Sequence, residues 1–534
     1  MNWNRFAAAV AGVCLGCGLA AGVSQAQARQ TLVYNLQTEP ETLDPAKATG
    51  IPEADVILNC MDGLVSNDAD GRAIPALAQS WEITSDGLTY TFHLREAKWS
   101  NGDPVAARDF VESWIRVLAP ETAAEYASQL YYIAGARAFN EGRTSDSSTV
   151  AIRALDDRTL RVVLTDPAPY FLSMLAHTVF MPFHRKTAAL TPREWRIDPP
   201  AYLCTGPFRL WKWESQSRIV LERNPLYWDA KSVALDELVM MMIPIESSAW
   251  AAFESGQLDL AGRPPLSVVK RLKAENRIRF APTIGCYYVN FNCKAKPFDD
   301  PRVRRALALA IDRRLITQFI TQSSEKPALA LVPPGIKDAD GKRDFRDEGG
   351  DLFKDAHYDE ARRLLAEAGY PSGRGLPAIG FLFNTAETHK DIATEMQHRW
   401  KKELGVEVEL QNTEWKVYLR RLRAGEYQMG RGGWIGDFLD PMTFLDTFTT
   451  ESGNNNPHWS NKAYDGSIAQ AKKELDPVKR MKTLHEAEAI LIQDMPLAPI
   501  YFYTRPYLEK PGVRGIVRTP LGTTYFKEAT RPSA

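Results

Sequence analysis

The sequence predicts an α/β protein of two or three domains, and three observations lead there. The chain has 534 residues, more than one core of ordinary size supports. Its composition, 44% hydrophobic, 25% charged and 10% aromatic, is that of a globular protein. Helical periodicity and strand-like alternation take turns along it, with no internal repeat or low-complexity segment.

The first element is MNWNRFAAAVAGVCLGCGLAAGVSQAQARQ. Arg5 precedes an apolar stretch from Phe6 to Val23, and Ala26-Gln27-Ala28 offers a small-x-small cleavage site. Residues 1–28 therefore read as a secretory signal peptide, with the exported chain starting near Arg29. A membrane anchor fits less well, because the stretch is rich in Gly and Ala and lacks a basic stop-transfer flank. Lipid attachment at Cys17 is the lesser alternative, since Cys14 stands where such sites usually carry Leu.

Strands and turns follow. WEITSDGLTYTFHLREAKW alternates around Ser85-Asp86-Gly87, the pattern of a hairpin. SNGDPVAARDFVESWIRVL leads from a turn into a helix with Phe110, Val111, Trp114 and Val117 on one side. ALDDRTLRVVLTDP is again turn plus strand. In the second half, FDDPRVRRALALAIDRRLITQFI opens with Asp300 at the N-cap and Pro301 at the first helical position. Its stripe is Val303, Ala306, Leu307, Ala310 and Ile311, which leaves its five Arg facing solvent. YDEARRLLAEAGYPSG predicts a short helix stopped at Gly369. HKDIATEMQHRWKKELGVEVELQNTEW reads as helix, Gly405, then strand, an α/β unit. A last helix through HEAEAILIQDM runs into the apolar strand PLAPIYFYTR.

Several kinds of chemistry are disfavoured. Sixty-five basic against sixty-six acidic residues leave a net charge of -1, no footprint for nucleic acid or an anionic membrane. The eight His are dispersed without an i, i+4 pair, and the mature chain has no CxxC, so neither metal nor other cofactor is expected. There is no GxSxG elbow and no GxxxxGK[ST] loop. A hydrolase with dispersed triad partners stays open, ranked below a binding role. Export leaves Cys60, Cys204, Cys286 and Cys293 in an oxidising compartment. Cys286 and Cys293 read as one strand, IGCYYVNFNCK, where an odd spacing puts them on opposite faces, unable to bridge. Cys60 with Cys204 stays open.

Long segments then carry a resemblance. They are PALAQSWEITSDGLTYTFHLREAKWSNGDPVAARDFVESW, TGPFRLWKWESQSRIVLERNPLYWD, FESGQLDLA, FNCKAKPFDDPRVRRALALAIDR, ARRLLAEAGYP and MPLAPIYFY. In order, and over nearly the whole mature chain, they resemble the periplasmic peptide-binding components of ABC importers, solute-binding protein family 5. PETAAEYASQLYYIAGA, NTAETHKDIATEMQHRWKKELGVEVELQNTEWKVYL and RGGWIGDFLDPMTFLDTF resemble its oligopeptide branch.

The resemblance implies a two-lobed periplasmic-binding-protein fold, type II-like and of cluster C, with a small inserted domain and hinge closure on ligand. The implied division is domain I from 29–61, 186–285 and 504–534, the inserted domain II from 62–185, and domain III from 286–503. The implied role is to bind short peptides in the periplasm as a monomer and deliver them to an inner-membrane ABC permease, with no nucleic acid and no catalysis. A receptor for murein-derived or signalling peptides is the alternative within the same fold.

Site residues come from the same match. Asp437, in Trp434-Ile435-Gly436-Asp437, corresponds to the group that holds a peptide α-ammonium. Gly433 and Trp434 offer main-chain groups and an aromatic wall, and Tyr126 lines the cleft. Arg431 and His389 correspond to groups that meet a carboxylate, and Gly50 and Ile51 to the segment that pairs with the ligand main chain. Asp440 is expected to cap the next helix, and Asp446 to be solvated within it. The chain departs from the family at Thr49, often Glu, at Leu422, often basic, and at Ile435, often a Cys of a cleft-edge disulfide.

Overall fold

A computed structural model describes residues 29–190, 194 and 198–531. The expected signal peptide, with Cys17, lies outside these residues. Among the described residues no helix is long and apolar enough to cross a membrane.

Three sheets organise the chain. A seven-stranded sheet runs in the order Arg279–Ala281, Arg505–Glu509, Leu260–Ala261, Thr31–Asn35, Glu237–Met241, Arg218–Arg223, Phe208–Glu214. It joins distant parts of the chain: Thr31–Asn35 lies parallel to Glu237–Met241, and Arg505–Glu509 is antiparallel to Leu260–Ala261 and Arg279–Ala281. A six-stranded sheet runs Lys326–Pro327, Leu497–Phe502, Gly285–Phe291, Met429–Ile435, Ile379–Asn384, Val408–Thr413. Every residue of Gly285–Phe291 and Leu497–Phe502 is buried, as expected for strands covered on both faces. The third sheet has four strands, Ala78–Ile83, Thr89–Leu94, Thr159–Val163 and Ile152–Asp156. The helix Ala107–Leu118 packs on it through Phe110, Trp114 and Val117; Val111 is only half-buried.

Local signals act where they were placed. Asp86 Oδ1 accepts from Leu88 N at 3.0 Å in the hairpin turn, and Gly87 takes φ +69 there. Asp300 caps the helix Pro301–Leu309 by accepting from Arg302 N at 2.8 Å. Gly369 and Gly405 adopt left-handed φ of +94 and +68 after the helices Tyr358–Glu367 and Glu387–Leu404. The strand after Gly405, Val408–Thr413, then lies parallel to Ile379–Asn384.

Three expectations need correction. The helix from Pro301 stops at Leu309; Asp312 then caps a fresh turn, and Ile316–Thr321 forms a π-helix. Of its five Arg, Arg304 and Arg313 point inward and are buried. Arg304 donates to the carbonyls of Phe298 and Asp494, both at 2.7 Å, the latter at the C-terminal end of the helix Pro477–Asp494. Arg313 donates to Pro499 O at 2.6 Å and pairs with Asp355 at 3.2 Å. Five donors in a planar fork can satisfy exposed carbonyls inside a protein, which periodicity alone does not foresee. Cys293 lies beyond the end of the strand Gly285–Phe291.

Candidate functional site

The strand Met429–Ile435 sits at the centre of the six-stranded sheet and carries the site. It pairs antiparallel with Gly285–Phe291, with Arg431 opposite Val289, Gly433 opposite Tyr287 and Trp434 opposite Cys286. With a period of two, Arg431 and Gly433 face the same side. Both glycines are needed here: a Cβ at Gly432 would run into the Tyr288 ring, and one at Gly433 into the Tyr503 hydroxyl.

Beside this strand is a cavity of about 320 Å³, within the size range of ligand sites. Gly50, Ile51, Tyr126, His389, Arg431, Gly433, Trp434 and Asp437 all line it. Gly50 is extended, φ -112 and ψ 162, and Ile51 opens the helix Ile51–Cys60. His389 comes from the first turn of Glu387–Leu404.

Asp437 is held by the turn after the strand, where its own N–H donates to Thr443 Oγ1 at 2.8 Å. Its side chain is 11% exposed and stands 3.5 Å from His177 Nε2. The other carboxylate oxygen, Oδ2, is buried without a partner. Burial pushes the Asp437 carboxyl up to about 8.

His177 does not supply the missing charge. Its Nδ1 accepts from Val179 N at 3.3 Å, which assigns the ring hydrogen to Nε2, and burial pushes it down to about 4. Tyr126 lies over the His177 ring at 4.6 Å, and Trp434 stacks on Tyr126 at 6.1 Å and 23°. A lone His some 260 residues from Asp437 carries no mark in the sequence.

The other end of the strand has the opposite character. Arg431 donates to the Tyr503 hydroxyl at 3.0 Å and lies 5.1 Å from the Tyr287 ring centroid. Its Nε is buried without a partner, and among the described residues no acidic group pairs with it. Burial, reinforced by the Arg431 and Arg263 cations, pushes His389 well below its ordinary value, and its Nδ1 also lacks a partner. Further unpartnered polar atoms of cavity residues belong to Asn290, Asn384, Trp415 and Trp434. Buried polar atoms without partners are rare in folded proteins; their concentration here marks a surface built to meet a ligand.

The model of the bacterial extracellular solute-binding proteins, family 5, matches residues 72–456. This chain belongs to that family. The oligopeptide-binding protein OppA of Bacillus subtilis is 38% identical over 519 residues, covering 95% of this chain and 94% of that one. Among solved structures, Haemophilus influenzae OppA in complex with RPPGFSPFR superposes with a TM-score of 0.87 at 33% identity, over 94% of this chain and 99% of that one. The murein tripeptide-binding protein MppA of Escherichia coli gives 0.88 at 33% identity over 94% and 99%, but its unliganded open form gives only 0.62 over 94% and 98%. This family 5 chain thus has the two-lobed periplasmic-binding-protein fold, with its lobes in an arrangement unlike the open one.

Within this frame the family 5 chain shows ties across the cleft that the sequence analysis did not identify. Arg423, at the end of the helix Trp415–Arg423, pairs with Glu41 at 3.0 Å and with Glu125, and donates to Thr49 Oγ1 at 3.0 Å. Lys416 pairs with Glu39 at 3.2 Å. Thr49 therefore stands where an arginine supplied by this chain needs an acceptor. Leu422 packs with Leu382, Tyr418 and Tyr427 in a small apolar cluster. Ile435 lies opposite Gly285, so neither side of that pair carries a thiol.

The two remaining aspartates differ from each other. Asp440 accepts from Met442 N at 2.9 Å, the expected capping contact, and is also buried in an ion pair with Arg480 at 2.7 Å. Asp446 is not solvated: it pairs with Lys472 at 2.8 Å, its side chain 12% exposed. The 26 residues separating the two partners hide that pair from any local reading.

Proposed function

We propose that this family 5 protein is the substrate-binding component of an ABC importer, which captures short peptides by main chain and termini and delivers them to an inner-membrane permease. One observation carries this reading: the cavity holds two ionisable groups without a partner of opposite charge, one acidic and one basic, Asp437 and Arg431. A zwitterion satisfies both. Asp437 takes the α-ammonium, and Arg431 with His389 takes a carboxylate. Six steps of about 3.3 Å along an extended chain separate the two backbones by at most about 20 Å, which an extended peptide of about six residues or fewer spans. Gly433 and Gly50 give the ligand close access to main chain, and Trp434 and Tyr126 form the wall beside the amine.

The wider assignment follows from this role. The lobes are domain I, built around the seven-stranded sheet, and domain III, around the six-stranded one, with domain II inserted between residues 62 and 185. The protein works as an exported, periplasmic monomer and performs no chemistry on its ligand.

Mass spectrometry of ligands released by denaturing the purified protein tests the reading. Peptides of a few residues are expected; a sugar or haem without peptide would overturn it. Peptides recovered intact after incubation with the protein separate this role from that of a hydrolase.

A further inference from the structure

The helix Ile51–Cys60 begins at the cleft with Ile51 and ends at Cys60. Beyond it the chain leaves the seven-stranded sheet for the segment that holds the four-stranded one, and it returns through Leu203–Gly206 into the strand Phe208–Glu214. Exit and return lie side by side. Gly206 N donates to Cys60 O at 2.8 Å, and a Cβ at Gly206 would come within 2.7 Å of the Cys60 carbonyl carbon. Thr205 Oγ1 accepts from Asp62 N at 3.0 Å. At this crossing stand two thiols, Cys60 and Cys204, each 0% exposed and each free in the structure. The Cys204 thiol donates to Tyr202 O at 3.2 Å, and burial, with the neighbouring Cys204 thiol adding to it, raises the Cys60 thiol well above its ordinary value.

We propose that Cys60 and Cys204 are joined by a disulfide in the exported protein, a staple across the neck of the inserted segment. A single S–S bond forms between the two Sγ atoms. The thiols release two protons and two electrons, which reduce the disulfide of an exported thiol oxidant to its dithiol. Both sulfurs are closed off once the neck has packed, so the exchange belongs to folding, before Leu203–Gly206 settles on the end of the helix. Cys286 and Cys293 stay reduced, one inside the strand Gly285–Phe291 and the other past its end.

The geometry also explains why the bond matters. It closes a loop of about 140 residues, for which cross-linking removes a large share of unfolded-chain entropy. The same helix lines the cavity through Ile51, Pro52, Ala54 and Leu58, whereas neither Cys60 nor Cys204 reaches it, so the staple fixes the end of the helix without touching the ligand.

The proposal requires that the protein be exported. Protein purified from the periplasm with its own leader is denatured without reductant, alkylated and weighed. Two alkylated cysteines, Cys286 and Cys293, and a cross-linked proteolytic fragment joining the Cys60 and Cys204 peptides are expected. Four alkylated cysteines would overturn the proposal. Refolding the reduced protein in a glutathione redox buffer tests the pair without dependence on export: Cys60 and Cys204 should become protected from alkylation. Unchanged reactivity of all four there would equally overturn it. The Cys60→Ser/Cys204→Ser variant should melt lower than wild type without reductant and match reduced wild type, while peptide affinity stays within twofold. An equal melting temperature in oxidised and reduced wild type would refute the staple.

Discussion

Asp437 and Asp440 are three residues apart in one turn, and both are largely shielded from water. Asp440 has everything a buried carboxylate needs: the Met442 N–H and a two-pronged pairing with the Arg480 guanidinium at 2.9 and 2.7 Å. Asp437 has a neutral histidine at 3.5 Å and an oxygen with no partner at all. The contrast teaches that burial alone does not mark a site. What marks it is a desolvated ionisable group whose partner is missing from the protein and must arrive from outside.

The largest effect expected from breaking the contrast is on the compensated side. Asp440→Ala strands the buried Arg480 cation and should cost about 3–5 kcal/mol of folding stability, read by denaturant unfolding. Any peptide bound by the surviving folded protein should still require a free amine. Asp437→Ala should instead cost about 2–5 kcal/mol of peptide affinity, read by calorimetry, with folding stability retained. N-acetylated peptides should bind wild type as poorly as free peptides bind that variant; equal binding of the two forms to wild type would remove the amine anchor.

A pH series sharpens the comparison. The folded, ligand-free carboxyl of Asp437 is raised from 3.8 to about 8 by burial, so the native state holds one proton more than the unfolded chain between those values. That contribution to stability is fully present below about pH 4 and is lost as pH rises through about 8. Asp437→Asn should flatten this part of the stability profile. A peptide ammonium favours the carboxylate, so binding near pH 7 should release protons, seen as a dependence of binding heat on the buffer's ionisation enthalpy. The smallest effect is at His177. His177→Ala should cost about 0.5–1.5 kcal/mol of peptide affinity, and His177→Gln, which keeps a neutral donor, should recover most of it.

How much of this was legible from sequence depends on how far apart the partners lie. Caps, turns and strand alternation act over a few residues, so Asp300, the Asp86-Gly87 turn and the Gly405 stop were readable one by one. Asp437, Trp434 and Arg431 could be singled out because they share one contiguous motif, and all three line the one cavity. His177, Arg423 and the Asp446–Lys472 pair were not, since each becomes meaningful only when a distant segment folds against it. Arg304 and Arg313 failed for another reason: a helical stripe counts arginine as outward, whereas a buried guanidinium can be stabilised by carbonyls from neighbouring elements.

The unpaired charges at the two ends of the cavity also bear on how reliably the protein signals its own state. Arg423 and Lys416 draw the two sides of the cleft together whether or not cargo is inside. Closing over nothing, however, leaves the buried Arg431 without a counter-charge and forces a proton onto Asp437 near pH 7, costs that a suitably charged guest removes. On the proposed function, empty closure is therefore self-limiting.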